Sequence, residues 1–288
     1  RVLFRSDMGT FIVTEISEGG NVPELKVINK GDIPVILLDG EELSGAKQNR
    51  VLNTTVLIAG MSETVIPVSC TEHGRWSYTS SEFRDSDLIM AYNIKRKKAR
   101  SVMRNVRETG RYASDQGEVW DDIQAMSGNA KVHSSTGAMK DVFESREKDL
   151  DDYLNAITMM PEQRGMMVII NGVLMGFDVL SSNTAYAKLH QKLLKSCAIE
   201  ALLDRKKKTI TPNPAIVEGF LQEIITCNET KHKSVGLGID YRFEGKEKVG
   251  TALVHEDNVI HLAFFSLPES EKIGRMAGMS QRRRNRTR

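Results

Sequence analysis

Residues 34–60 read PVILLDGEELSGAKQNRVLNTTVLIAG. Two short apolar runs, Val35-Ile36-Leu37-Leu38 and Val56-Leu57-Ile58, enclose a segment in which Glu41, Glu42, Lys47, Gln48, Asn49, Arg50 and Asn53 crowd together. The first run is apolar at both parities, which predicts a central strand buried on both faces. It ends at Asp39-Gly40, and a glycine there lets the chain leave the core and present polar groups at a rim. Between residues 50 and 58 the even positions Leu52, Val56 and Ile58 face inward with Thr54, so Asn49, Asn53 and Thr55 share the opposite face. From Gly9 to Tyr78 the sequence keeps this character, β-branched and punctuated by glycine and proline, which predicts an all-β block. Within it LKVINKGDIPVILL reads as a hairpin, with Lys30-Gly31-Asp32 as its turn.

Working outward, the chain divides by composition. Residues 1–84 form the β-rich block with the polar motif, and residues 85–164 are polar and helical, broken by a glycine- and serine-rich surface loop at 128–137 that reads as mobile. Residues 165–280 are mixed and pack on the first block, and residues 281–288, QRRRNRTR, form a basic tail that reads as disordered. The safest element is a long helix on which Tyr186, Leu189, Leu193, Cys197, Ala201 and Leu202 recur at three- and four-residue steps, with Lys188, Lys192 and Lys195 elsewhere. Asn171-Gly172 marks a hairpin turn, Pro212 and Pro214 open a second helix, and Asp257-Asn258 marks a turn between late strands. The fold class expected is α+β, with an amino-terminal β-sandwich-like block, a helical middle and a smaller carboxy-terminal sheet backed by helices.

Composition bounds the function. With 288 residues, 40% hydrophobic and 27% charged, the chain suits a globular protein with a sizeable core. No apolar stretch approaches the roughly 20 residues of a membrane span, and the first residues lack the order of a signal peptide, so a soluble, cytoplasmic protein without a membrane partner is expected. Cys70, Cys197 and Cys227 have no CxxC spacing, which argues for reduced thiols and against a disulfide scaffold or a structural zinc site. The formal charge of +2 falls to −3 without the five arginines of residues 281–288. That tail lacks the interleaved aromatics of a single-strand platform, so nucleic acid is a disfavoured partner. A second basic run over residues 95–111 spreads around a helix and reads as a solvated face.

The chemistry is expected where polar groups end apolar strands. Ile66, Val68, Cys70 and Glu72 share one parity, which makes Cys70 a small core residue and sets Glu72 one step beyond the core edge. Two neighbouring strands then bring Glu41, Glu42, Lys47, Gln48, Arg50, Glu72, His73 and Arg75 to one end of a sheet. Paired carboxylates near arginines divide into a general acid and a base, or hold a divalent cation, so Glu41, Glu72 and His73 are the catalytic candidates; no metal ligand set is assigned and the cofactor is open. Lys47, Gln48, Asn49, Arg50, Asn53, Arg75 and Trp76 are the binding candidates, with arginine giving the bidentate fork for phosphate or carboxylate and Trp76 a surface on which a ring stacks. The structural alternative is an ion-pair network that closes the sheet end, with Trp76 as a core anchor. Cys70 with His73 as a nucleophile pair is weaker, because extended geometry sends them to opposite faces. GLGID at 236–240 precedes a strand rather than a helix, against a dinucleotide-binding loop.

PVILLDGEELSGAKQNRVLNTTVLIAG, followed by IPVSCTEHGRWSYTSSEF, resembles the ARPP family, the ARG and Rhodanese-Phosphatase-superfamily-associated Protein domain. QGEVWDDI (116–123), GMMVIINGVLMGFDVL (165–180), the helix through LLKSCAIEALL and VIHLAFF (259–265) agree in order. The resemblance spans all but the arginine tail. It implies a part in NAD or ADP-ribose metabolism, and residue by residue only that Glu41, Lys47, Gln48, Asn49, Arg50, Cys70, Glu72, Gly74, Arg75 and Trp76 match motif positions. Three classes of function stay open. One is an enzyme that hydrolyses or processes a nucleotide- or ADP-ribose-derived anionic small molecule; another is a non-catalytic binding or regulatory module for such a ligand; the third is a nucleic-acid interaction through the tail.

Overall fold

A computed structural model of the protein describes residues 9–17, 19–204 and 213–268. The arginine tail and Pro212 lie outside the described residues. The α+β class holds, and the two halves are each built on a six-stranded antiparallel sheet.

The first half contains β1 (Phe11–Glu15), β2 (Glu24–Asn29), β3 (Val35–Leu37), β4 (Glu41–Gly45), β5 (Arg50–Leu52), β6 (Val56–Ile58), β7 (Ser62–Cys70) and β8 (Phe83–Ile89). Six of these pair in the order β1-β2-β7-β5-β4-β8, and β3 and β6 form a ladder of their own. The expected sandwich is one curled sheet rather than two facing ones. Its strands turn a common apolar face inward, where Val13, Leu25, Leu43, Leu52, Ile66 and Phe83 form one cluster, and the edge strands β1 and β8 approach each other. The expected hairpin of residues 25–38 is not formed. β2 pairs with β1 and β7, whereas Val35↔Ile58 and Leu37↔Val56 place β3 on β6. The run 35–38 is buried on both faces as expected, but in this two-stranded ladder and not at a sheet centre, because β3 lies between the first core and α5.

The middle comprises α1 (Tyr92–Thr109), α2 (Gln116–Ala130), α3 (Met139–Ser145) and α4 (Glu147–Ala156). α1 stops at Gly110, whose φ of 73° favours glycine, and Asp115 caps α2 by accepting from Gly117 N and Glu118 N. The loop read as mobile hydrogen-bonds to the first sheet. Gly74 N donates to Thr136 O at 2.7 Å and Met139 N to Thr71 O at 2.9 Å.

The second half contains β9 (Gly165–Ile170), β10 (Val173–Leu180), α5 (Asn183–Leu203), α6 (Pro214–Ile225), β11 (Asn228–Lys233), β12 (Ile239–Glu244), β13 (Lys248–His255) and β14 (Asn258–Ser266). The sheet runs β11-β12-β13-β14-β10-β9, so it has as many strands as the first and is not the smaller one. Asn171 and Gly172 turn β9 into β10 with φ of 50° and 78°, as their identities predict, and the last hairpin turns at Glu256-Asp257, one residue earlier than expected. α5 is capped by Ser182 and buries Tyr186, Leu189 and Leu193 against Ile36, Leu38 and Leu253, which ties both sheets to β3.

The basic run is a solvated face only in its later part, where Arg104, Arg107 and Arg111 are exposed. Lys95 and Lys98 are fully buried at the joint between the halves, where Lys95 Nζ meets Asp178 Oδ1 at 2.5 Å. Lys98 Nζ pairs with Asp39 and also donates to Leu52 O at 2.8 Å. Arg242 and Asp240 form a third buried pair at 2.5 Å, with Thr54 donating to Asp240 at 3.0 Å. His261 bridges Asp178 at 3.2 Å and Thr55 at 2.9 Å. Burial lowers the pKa of Lys98, whereas at Lys95 the effect of burial is outweighed by Asp178 and Asp39 and the pKa rises. Lys192 on α5 is likewise buried, since it reaches Glu41 and Asp85. Apolar helix periodicity does not report such pairs, because the partners come from distant strands.

Candidate functional site

Register explains why charge collects at one end of the first sheet. Residues directly opposite in an antiparallel ladder share a face, and Arg50 stands opposite both Leu43 and Cys70. Arg50 and Cys70 therefore continue the inward column of Leu52 and Val68 one step past the apolar cluster. On β1 the same alternation carries Phe11 and Val13 to Glu15. Three strands thus place Glu15, Arg50 and Cys70 at the mouth of the curled sheet.

The GAKQNR turn shapes this mouth. Gly45 has φ of 126°, and a Cβ there would meet Ser80 Oγ at 2.6 Å and Glu82 O at 2.7 Å, so only glycine fits. Ala46 follows with φ of 38°, a conformation unfavourable for alanine. Arg75 holds it: Nη1 donates to Ala46 O at 2.7 Å, Nη2 to Asn49 Oδ1 at 3.1 Å, and Nε to Glu72 Oε2 at 2.9 Å. Glu72 also accepts from Asn49 N at 3.2 Å. Burial works to raise the Glu72 pKa, but the hydrogen bonds from Arg75, Thr136 and Asn49 win and hold it below the usual carboxylate value. Glu72 and Arg75 are a clamp on the turn, with their polar atoms engaged.

Arg50 is different. It is 0% exposed, its Nη1 donates to Gln48 Oε1 at 3.1 Å, and its Nε and Nη2 have no hydrogen-bond partner among the described residues. Both carboxylate oxygens of Glu15 are also buried without a hydrogen-bond partner among the described residues. Burial lowers the Arg50 pKa, against the pull of Cys70 and Glu15. Cys70 donates its thiol to Gln48 Oε1 at 3.2 Å, and burial pushes its pKa up to about 11, so it is a thiol and not a nucleophile poised as thiolate.

Above Arg50 the mouth is covered by aromatic and cationic groups. The Trp76 ring lies 5.8 Å from the Arg50 guanidinium, and Lys47 Nζ sits 5.2 Å from the Trp76 ring and 5.1 Å from that of Tyr78. Trp76 and Tyr78 are about half exposed, and Lys47 Nζ donates to Gly19 O at 2.7 Å, which latches the β1–β2 loop over the site. Gly20 leaves no space to spare: a Cβ would meet Lys47 at 3.2 Å, Trp76 at 3.4 Å and Glu15 at 3.5 Å.

The structure brings together Lys47, Gln48, Asn49, Arg50, Glu72, Arg75 and Trp76. Three other candidates go elsewhere. A bulge in β4 next to Glu41 turns its side chain to α5, where Lys192 Nζ binds Oε1 at 3.0 Å and Leu38 N donates to Oε2 at 2.6 Å. Burial raises the Glu41 pKa despite Lys192. Glu41 and Glu72 therefore have separate partners and form no carboxylate pair. Asn53 donates to Tyr112 O at 3.0 Å and accepts from Ser69, which joins β5 to the α1–α2 loop. His73 is exposed, with its ring edge-on to Trp120 at 4.3 Å. Glu42 faces the helices, where Thr71 donates to Oε1 at 2.6 Å; burial raises its pKa to about 7. Among the described residues no group of three or more His, Cys, Asp or Glu side chains is arranged to hold a metal ion. No helix among the described residues is long and apolar enough to cross a membrane.

Two members of the site escape sequence reading. Glu15 was legible in the alternation of FIVTE, where an acid takes the parity of Phe11 and Val13. Tyr78 gave no signal, because only the folded turn brings it to Lys47.

No curated protein and no solved structure matches the chain. The family described as ARG and Rhodanese-Phosphatase-superfamily-associated Protein domain matches residues 5–265, which takes in both sheets and the helices between them. The GAKQNR turn, its Glu72–Arg75 clamp and the buried Arg50 all lie within that match, and the chain belongs to this family.

Proposed function

We propose that the chain binds a small anionic molecule, of the nucleotide- or ADP-ribose-derived class, at the mouth of the first sheet, and that this is its part in NAD- or ADP-ribose-linked metabolism. The observation that carries the reading is Arg50. A buried guanidinium with two nitrogens unpartnered is costly to maintain unless an anion completes it, and the fork geometry suits a phosphate or carboxylate. Lys47 adds a second positive charge, Trp76 and Tyr78 offer rings against which a base stacks, and Glu15 offers acceptors to hydroxyl or amine groups.

Two classes of function share this site. A hydrolase needs a group that activates water, and His73, the exposed candidate, lies against Trp120 rather than among the groups around Arg50. The engagement of Glu41 by Lys192 and of Glu72 by Arg75 and Asn49, with Cys70 held as a thiol, favours the non-catalytic module. Thermal unfolding of the full chain with ADP-ribose, NAD, AMP, ribose 5-phosphate and inorganic phosphate, with and without magnesium, tests the reading. A ligand at a hundred times its Kd adds about 2.7 kcal/mol of stability, and Arg50→Met abolishes that gain. Stabilisation by none of these anions defeats the proposal, and chromatographic detection of a product separates hydrolase from module.

A further inference from the structure

Three of the later segments that resemble the family meet around one cavity. QGEVWDDI supplies Asp122 from α2, GMMVIINGVLMGFDVL supplies Ile170, Asn171, Val173 and Met175 from the β9–β10 hairpin, and LLKSCAIEALL supplies Glu200 from α5. Asn93, Ile94 and Lys97 of α1 close the remaining side. The cavity is about 560 Å³, within the range of roughly 300–1,000 Å³ that holds small molecules. Arg50, Glu15, Lys47 and Trp76 take no part in its walls.

The walls differ in kind. Ile94, Met126, Ile170, Met175 and Leu203 make an apolar side, and Val173 at the rim is 59% exposed. The polar side holds three carboxylates, Asp122, Glu200 and Asp204, against one ammonium, Lys97, which Asp122 already pairs. Glu200 is fixed in place because α1 begins at Ala91, whose methyl group cannot cap it: Glu200 Oε1 accepts from Asn93 N at 2.8 Å and Oε2 from Asn93 Nδ2 at 2.7 Å. Among the described residues no cation pairs with Glu200, and burial raises its pKa against the bonds from Asn93. A carboxyl group held at a cavity wall without a counter-charge favours a positive group beside it, and each of its oxygens keeps room for one more donor. The excess of carboxylates disfavours an anion in the same space.

We propose that this cavity binds a small amine, an ammonium group carried on an apolar body, with the ammonium at Glu200 and the body against Met126, Val173 and Met175. Selectivity is two-sided. The carboxylates reject an acid of the same shape, and a cation without a body forgoes the burial that the apolar side offers.

Titration of the full chain with phenethylamine, 2-phenylethanol, phenylacetate and methylamine tests this, followed by NMR of the side-chain amides of Asn93, Asn129 and Asn171 in the cavity wall. Phenethylamine shifts these amides saturably and binds about tenfold or more tighter than each of the other three. Glu200→Gln keeps an acceptor for the start of α1 but removes the charge, and weakens phenethylamine by about tenfold or more. Val173→Arg sets a cation at the exposed rim and weakens it likewise, which decides the matter should Glu200→Gln unfold; circular dichroism melts check that each variant is folded. Shifts that grow without saturation overturn the proposal, as do phenylacetate binding as tightly as phenethylamine and binding that the folded variants leave unchanged.

Discussion

Arg50 and Glu15 lie on the same inward face of one curled sheet, both buried, and neither the Nε and Nη2 of the one nor the carboxylate oxygens of the other have a hydrogen-bond partner among the described residues. Two buried polar groups held without hydrogen-bond partners favour binding over stability, the balance expected at functional sites. Replacing both by neutral groups of similar shape, Arg50→Met with Glu15→Gln, is expected to leave stability unchanged or raise it by about 1–4 kcal/mol. Stabilisation by ADP-ribose or phosphate is expected to vanish at the same time. Urea denaturation with an unchanged slope measures the first and ligand melts the second; a loss of several kcal/mol would show the pair to be architectural.

The pair Lys98–Asp39 is the opposite case. Both are buried and in contact at the joint of the two halves. Lys98→Met leaves the Asp39 carboxylate buried without its cation, and is expected to cost about 3–5 kcal/mol. The melting temperature falls steeply while the affinity of any folded fraction for the ligand is unchanged. An unfolding midpoint equal to that of the wild type would sink this assignment.

Glu42 makes stability depend on pH. Its folded pKa, about 7, lies above the ordinary 4.5 because it is buried, so the folded state holds a proton that the unfolded state releases earlier. The contribution is fully present below pH 4.5 and is lost as pH rises through 7. At 1.36 kcal/mol for each pK, the whole gap corresponds to about 3 kcal/mol. Glu42→Gln is expected to flatten the decline between pH 5 and 8 and to be the more stable protein at pH 8. Parallel stability profiles for the two proteins would refute the shift.

The three cysteines should differ in reactivity. The pKa of all three is raised by burial, but Cys70 and Cys197 are buried whereas Cys227 is partly exposed on the second half. Iodoacetamide at pH 8 is expected to label Cys227 first in the native chain, with Cys70 and Cys197 reacting only after unfolding. Cys70→Ser keeps the ligand response, since the thiol supplies only a hydrogen bond to Gln48. Rapid native labelling of Cys70, located by peptide mass spectrometry, would revive the thiol as a nucleophile.

Short-range physics made much of this protein readable in its sequence. Strand alternation put Leu52, Val56 and Ile58 on one side and carried Ile66 and Val68 to Cys70, and the structure agrees. Helical periodicity located α5, and the αL preference of Asn171-Gly172 located a hairpin turn. These follow from backbone geometry and side-chain direction, which each residue and its near neighbours determine. The dense polar segment of residues 39–55 also contributes Lys47, Gln48, Asn49 and Arg50 to the candidate site. What tertiary structure alone decided was how those polar groups were shared out. Glu41 and Glu72 are of one residue type in one motif, yet a bulge sends the first to Lys192 while the second holds Arg75. Lys95 and Lys98 read as solvent-facing because their partners, Asp178 and Asp39, are 83 and 59 residues away. Lys95 and Lys98 are buried because distant opposite charges meet them, and that encounter is set by which strands pair, not by local sequence.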